Sequence, residues 1–481
     1  MIPLTLKEIA QATGGRLHNA TGDETITGSV EFDSRQVTPG GLFIAVPGER
    51  VDGHDFAAAA VEKGAAGILA AREVDAPAVI VPPVDTRHHS AYVLAGDTDG
   101  SGAAVLAGLA AIARAVVDRL PNLTIVGVTG SSGKTSTKDL ISHVLEPLGP
   151  TVAPPGSFNN ELGHPWTVLR VDESTRYLVL ELSARGAGHI RALCETAPPN
   201  IGVVLNVGTA HLSEFGSREG IAQAKGELAE AATDVVVLNA DDPLVRGMAD
   251  RTKARVVLVG TAEDADVRAT DIQLDDQARA TFQLETKDGQ ATVTLGLHGA
   301  HHVGNALSAA AVALELGATV EDVAASLSGA QRRSARRMEV TTRADGVTVV
   351  NDSYNANPDS MAAGLRTLAS MSGPGRRTWA VLGEMRELGD KGAEAHEEIG
   401  RLVARLGIDR LVVVGEPAGA IQLGAALEGA DTGKEPVLVP DVEAAVALLD
   451  TELRPGDVVM VKAANLAGLW RVADALLGSR A

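Results

Sequence analysis

Hydrophobic positions along this chain gather into short continuous runs separated by helical stretches. LTIVGVTG (123–130), RYLVLELSA (176–184), NIGVVLNVG (200–208) and DVVVLNADD (234–242) are nearly unbroken. Such runs lack period-two alternation and suit parallel strands covered by helices on both faces. VGNALSAAAVALELG (303–317) carries a helical pattern, with Gly317 as the expected C-terminal stop. Beyond about Arg332 the alternation resumes: RTWAVLG (377–383), DRLVVVG (409–415), PVLVP (436–440) and DVVMVKA (457–463) predict an open, mostly parallel sheet. Ahead of these units, GGLFIAV (40–46) and AAGILAA (65–71) read as strands, with DFAAAAVEKG (55–64) a helix stopped by Gly64. AGDTDGSG (95–102) reads as a linker, and an Ala-rich helix then runs to about Leu120, before Pro121. The expected fold is α/β with three domains, at 1–95, 96–331 and 332–481.

Length agrees, since 481 residues at roughly 150 per domain gives three. Net charge is −20, which argues against a nucleic-acid sleeve or an anionic-membrane binder. It leaves room for one phosphorylated small molecule, because a local nest of backbone N–H groups overcomes a distant field. Aromatic residues are 2% of the chain, so Ala, Val and Leu must fill the core and rows of stacked bases are not expected. The single cysteine, Cys194, excludes an internal disulfide and a cysteine cage for zinc, and fits a reducing cytoplasm. The start, MIPLTLKEIAQATGG, lacks the apolar stretch of a secretory signal. The longest apolar run, 102–113, stops at Arg114, short of the ~20 residues of a membrane-spanning helix. No membrane insertion and a cytoplasmic location are expected.

The sharpest chemical signal is VTGSSGKTST (128–137), a strand entering a Gly-rich turn with a helix leaving from Lys134. Free N–H groups and the helix dipole converge there, which favours phosphate oxygens. Lys134 adds a point charge for the terminal phosphates and Thr135 a hydroxyl for Mg²⁺. The spacing is the short form GxxGKT, running from Gly130 to Thr135, with Val128 where the longer form has glycine.

Other positions leave two readings open. Glu181 ends a strand run and His211 follows one in VGTAHLSEFGS. Ligands in open α/β sheets sit beyond the carboxyl ends of strands, so both could face the phosphate turn. Equally, Glu181 could be a solvated strand-end charge and His211 an ordinary turn residue. Lys225, in the helical IAQAKGELAE, reads on its own as a surface lysine. NDSYNANPDSM (351–361) is either a binding loop or an Asx-rich turn capping a helix from Pro358, the turn being slightly favoured. Arg336 and Arg337, at the junction of the second and third units, are an anion fork or a basic linker.

Taken together, TGSSGKTSTKDL, NNELGHPWTVL, AHLSEFGS, AKGEL and NDSYNANPDSM stand in the order found in the Mur ligase family of peptidoglycan synthesis, which the chain resembles over nearly its whole length. Within that family, the last motif and FDSRQVTPGGLFIAVPGERVDGHDF (32–56) are most similar to the member that adds a dipeptide. The resemblance implies a nucleotide-sugar-binding N-terminal domain, a central P-loop-type ATPase domain and a Rossmann-like C-terminal domain. It implies a monomer that joins D-alanyl-D-alanine to UDP-N-acetylmuramoyl-tripeptide through an acyl phosphate, using ATP and Mg²⁺. Thr129, Gly130, Ser131, Ser132, Gly133, Lys134, Thr135 and Ser136 would hold ATP, with Asn305 near adenine and Arg337 and Asp352 reaching over from the third domain. Thr135, Glu181, His211 and Lys225 would match metal positions, Lys225 as a carbamate. Lys134, Lys225, His211, Arg337 and Asp352 would carry catalysis. Ser34 and Arg35 would lie near the UDP group, Asn159 and Asn160 near the muramoyl peptide, and Tyr354, Asn355 and Asn357 at the substrate. The resemblance also implies domain closure, an open form leaving Arg337 and Asp352 far from the phosphate turn. His302, His189 and VKAANL (461–466) depart from the family's usual asparagine, GEI and VKGSR. A sister ligase adding one amino acid, including a folate-type polyglutamate ligase, or a P-loop switch without ligation are the alternatives.

Overall fold

The computed structural model describes residues 1–48, 51–84, 97, 99–209, 212–429 and 435–478. Three main sheets follow one another along the chain. The first has five strands in the order Arg16–His18, Ala78–Ile80, Ala65–Ala70, Gly41–Ile44 and Val30–Glu31, parallel except for the first pairing. Its leading helix, Leu6–Thr13, begins at a reciprocal cap between Thr5 and Glu8.

The Ala-rich helix spans Ser101–Asp118 and packs against the helices Leu6–Thr13, Gly163–Val168 and His189–Thr196. By length and composition it could cross a membrane, yet more than half of it is buried inside the protein. Its small residues let it sit between the first and second sheets, so it is a core helix of the junction.

The central sheet has nine strands. Thr151–Val152, Tyr177–Glu181, Thr124–Thr129, Ile201–Val204, Val235–Asn239, Arg255–Gly260 and Val267–Leu274 pair in parallel. An antiparallel meander, Val267–Leu274, Arg279–Thr286 and Gly289–His298, then extends the sheet. The continuous-run criterion passes over the meander, because its middle strand alternates buried and half-buried positions, as a sheet with one wetter face does. The helix Lys134–Leu145 lies against His302–Glu315 on one face, while Arg218–Ala231 covers the other.

The third sheet has six strands in the order Glu339–Thr342, Thr348–Asn351, Val458–Lys462, Thr378–Leu382, Arg410–Val414 and Val437–Val439. Only the first pairing is antiparallel. Segments leaving the carboxyl ends of Thr348–Asn351, Val458–Lys462 and Thr378–Leu382 face those leaving the carboxyl ends of the central strands. The arrangement is closed: an Arg337 Nη2 N–H donates to the Thr135 hydroxyl across the junction at 3.1 Å.

Candidate active site

A cavity of about 540 Å³ opens where the central and C-terminal sheets meet. Its floor is the turn 130–133 between strand Thr124–Thr129 and helix Lys134–Leu145. The helix begins at Gly133 with no side-chain cap, so its first N–H groups remain available to an anion. Gly133 sits at φ +81°, and a Cβ there would stand 2.8 Å from Asn305 Oδ1, so glycine is required on both counts.

Asn206 moulds the turn. Its Oδ1 accepts the N–H groups of Ser131 and Ser132 at 2.9 Å each, and its Nδ2 donates to Ser132 O at 3.1 Å. Ser131 Oγ accepts the Gly208 N–H at 2.9 Å. Sequence reasoning passed over Asn206, although it stands in the segment just past strand Ile201–Val204, where the strand-end rule points.

Lys134 Nζ donates to Gly130 O at 2.9 Å. Burial pushes its pKa below the usual lysine value, opposed by the charge of Glu181 and reinforced by that of Arg337. Glu181 is itself buried. Its Oε2 accepts the Thr135 hydroxyl at 2.9 Å, and its Oε1 accepts Ser157 Oγ at 3.0 Å and Asn159 Nδ2 at 2.7 Å. Ser157 is a second participant the sequence did not announce.

From the C-terminal unit, the Arg337 guanidinium lies 4.3 Å over the Tyr354 ring while reaching Thr135. Arg336 and Met338, on either side, adopt left-handed backbone, φ +57° and +47°. The two arginines divide the alternatives between them: Arg337 enters the cavity, while Arg336 stacks over Trp470. Asp352 Oδ2 pairs with Lys462 Nζ at 2.6 Å, its Oδ1 accepts the Met338 N–H, and Lys462 also donates to Asn355 O. Asn357 caps the helix Pro358–Ser370 in a reciprocal pair with Ser360, as the Asx-turn reading expects, and the loop also lines the cavity.

Several expectations need correction. Lys225 is not a surface lysine: only 6% of it is exposed, because Arg218–Ala231 packs its face onto strands Thr124–Thr129 and Ile201–Val204. Burial, with Lys134 nearby, holds its pKa well below the usual lysine value. Thr129 is buried beneath the turn with its hydroxyl donating to Leu182 O, so it shapes the strand end rather than facing a ligand. Asn160 Oδ1 accepts the N–H groups of Leu162 and Gly163, which commits it to starting a helix. Ser34 and Arg35 belong to the N-terminal unit, so this cavity does not test them; Arg35 forks onto Asp33. His396 accepts the Met385 N–H at Nε2 and faces Gly392 O at Nδ1, and it does not line the cavity. His211 and positions 95, 96 and 98 of the expected linker lie outside the described residues. Among the described residues, no three His, Cys, Asp or Glu side chains form a metal cluster.

His302 lines the cavity, with Nδ1 3.3 Å from Asn305 Nδ2 and its ring 4.3 Å from that of His301. Burial lowers His302 well below the ordinary histidine value, so its ring is neutral near pH 7. Asn465 and Leu466 line the rim, in the segment that departs from the family's usual pattern.

A glycine-rich turn at an uncapped helix start on one α/β unit, met across a cavity by an arginine from another, marks the class of nucleoside-triphosphate-using enzymes. Family models agree along the length: "Mur ligase family, catalytic domain" matches 27–112, "Mur ligase middle domain" 128–313 and "Mur ligase, glutamate ligase domain" 336–465. The UDP-N-acetylmuramoyl-tripeptide–D-alanyl-D-alanine ligase of Mycobacterium tuberculosis is 58% identical over 99% of this chain and 98% of its own. The ligase of the same name from Escherichia coli is 35% identical over 88% of each chain. A crystal structure of MurF from Acinetobacter baumannii superposes with a TM-score of 0.84 at 30% identity, covering 99% of both chains. MurF from Thermotoga maritima in complex with ADP gives 0.77 at 30% identity, over 94% of this chain and 98% of that one. The chain belongs to the Mur ligase family and is an ATP-dependent ligase of peptidoglycan-precursor synthesis.

Proposed function

We propose that this enzyme joins D-alanyl-D-alanine to the terminal carboxylate of UDP-N-acetylmuramoyl-tripeptide, converting ATP to ADP and phosphate. Four relatives named for that reaction share 53–58% identity across essentially the whole chain. One observation carries the reading. Thr135, at the start of the phosphate helix, is held between Glu181 of its own unit and Arg337 of the C-terminal unit, inside one cavity.

A carboxylate is a poor electrophile, and amide formation needs a leaving group on its carbon. An oxygen of the tripeptide carboxylate attacks the γ-phosphorus, the bond to the β-phosphate oxygen breaks, and ADP leaves an acyl phosphate behind. Two anions must meet for this, so catalysis is chiefly positioning and charge neutralisation. The N–H groups of Gly133 to Thr135 and the Lys134 ammonium receive the phosphates, and Arg337 adds charge from the opposite wall. The neutral amine of the dipeptide then attacks the acyl carbon, phosphate departs and the amine loses a proton. Asp352 is occupied by Lys462 and Met338, so in this reading it braces the C-terminal wall rather than taking that proton. Closure of the two walls keeps water from the acyl phosphate.

Thr135 and Glu181 are hard oxygen donors, the type magnesium takes beside phosphate oxygens and water, and they would hold it here. Bound there, the ion would offset charge on the transferring phosphoryl group. Lys225 is buried and its amine is driven toward the neutral form, which is the form that adds carbon dioxide. A carbamate on Lys225 would place a negative charge near the ammonium of Lys134.

Incubation with ATP, D-alanyl-D-alanine and a panel of UDP-muramoyl peptides, with products weighed, tests the assignment. The expected product is the UDP-muramoyl pentapeptide, with phosphate released only when both substrates are present. Phosphate release with nucleotide alone, or only with a protein partner, would instead mark a P-loop switch.

A further inference from the structure

The two walls of the cavity meet at a contact the chemistry above does not use. Asp359 stands in the first turn of helix Pro358–Ser370, in the C-terminal unit. Its Oδ2 accepts the backbone N–H of Thr209 at 2.7 Å and the Thr209 hydroxyl at 3.2 Å, both in the central unit. The approach depends on Gly208, where a Cβ would overlap the Asp359 carboxylate. Gly208 has no positive φ, so this close approach, and no demand of its backbone, is what favours glycine there.

The segment that receives Asp359 is also the one that moulds the phosphate turn. Asn206 accepts the N–H groups of Ser131 and Ser132, and the Gly208 N–H donates to Ser131 Oγ. The same segment is fixed from behind, where Val207 N–H donates to Asp242 and Arg218 donates to Val207 O. From Asp359 the contacts run through Thr209 and Gly208 to Ser131 without a gap.

We infer that Asp359 is a positioning residue for ligation. Its docking onto Thr209, through the space left by Gly208, couples seating of the C-terminal unit to the geometry of the phosphate turn. The kinetic readout rests on the ligase reading above. A purely local role for Asp359, such as favouring the start of its own helix, would not respond to a change at Gly208.

The test uses the full chain with Gly208→Ala, Asp359→Ala, Asp359→Asn and the double variant Gly208→Ala/Asp359→Ala. Gly208→Ala and Asp359→Ala should each lower kcat by up to ~10²-fold, the loss a misplacement of about 1 Å can cause. ADP binding, measured by calorimetry, should fall far less than kcat, because Asn206 still holds the N–H groups of Ser131 and Ser132. Asp359→Asn, which keeps one acceptor oxygen, should fall between. Adding Gly208→Ala to Asp359→Ala should cost nothing further, since the carboxylate it would strike is gone. Wild-type kcat in both single variants of an enzyme that ligates, or losses that multiply in the double variant, would overturn the inference. Hydrogen exchange at the Thr209 amide reads the contact without any reaction. Protection should drop in both single variants, and unchanged protection in both would also overturn it. A wild type that makes no product would sink the ligase reading and leave the exchange result to decide this one.

Discussion

Replacing Arg337 tests the two-walled site from the side that carries no phosphate turn. Arg337→Ala removes a charge-assisted hydrogen bond to Thr135 and a stack over Tyr354. In the resting protein these contribute about 1.5–3 kcal/mol for the bond and about 0.5–2 kcal/mol for the cation–π contact. In the transition state the same cation faces charge gathered between carboxylate and phosphate. Losing one such stabiliser costs about 2.7–4 kcal/mol, or ~10²–10³ in kcat. Arg337→Lys keeps the charge but loses the planar fork, so its activity should lie between. The assay is phosphate release with ATP, UDP-tripeptide and dipeptide, paired with ADP calorimetry. The fall should appear mostly in kcat, because the phosphate turn belongs to the other unit. A folded Arg337→Ala enzyme with near-normal kcat, or one in which ADP binding falls as far as turnover, would refute this reasoning.

Other outcomes follow from the same geometry. Lys225→Ala should abolish ligation, and short carboxylic acids should partly restore it; absence of any rescue would count against a carbamate. Because the folded pKa of Lys225 is depressed, the unfolded chain binds a proton the native one lacks, so this residue makes stability rise with pH toward its unfolded value; denaturation of Lys225→Met at several pH values should show a shallower rise. His164 is fully buried with neither ring nitrogen partnered among the described residues, and burial lowers it to about 3. Its neutral form is favoured above ~6.5, and the stability tied to it is lost as pH falls from there through about 3, so His164→Leu should gain about 1–3 kcal/mol and flatten the acid limb of a denaturation profile. A destabilised His164→Leu would reveal a polar partner for that ring. Gly133→Ala should lose about 1–2 kcal/mol from its left-handed backbone alone, together with nucleotide affinity; unchanged ADP binding would refute the role given to that turn.

The parts legible in the sequence were those whose physics is local. A strand, four turn residues and a helix starting at Lys134 lie within a few positions of each other, so their pattern announces an anion site. Continuous apolar runs likewise announce parallel strands. Lys225 misleads because its neighbours in IAQAKGELAE are those of a solvated helix, and only packing against the sheet decides which face is buried. Ser157 carries no local signature, and Asn206 only its place past a strand end; their roles exist only once the strand ends are set side by side. Asp352 and Lys462 are 110 positions apart, and their pairing follows from the register of two parallel strands.

The central claim is that the turn before Lys134 presents a triphosphate whose last phosphoryl group activates the peptide acid. Borohydride quenching of enzyme with ATP and UDP-tripeptide, but no dipeptide, tests it most directly, because an acyl phosphate is reduced to a primary alcohol visible by mass. The expected result is that alcohol in the wild type and none in Lys134→Ala. A wild type that ligates without ever yielding the alcohol, or a Lys134→Ala enzyme that yields it equally well, would contradict the account.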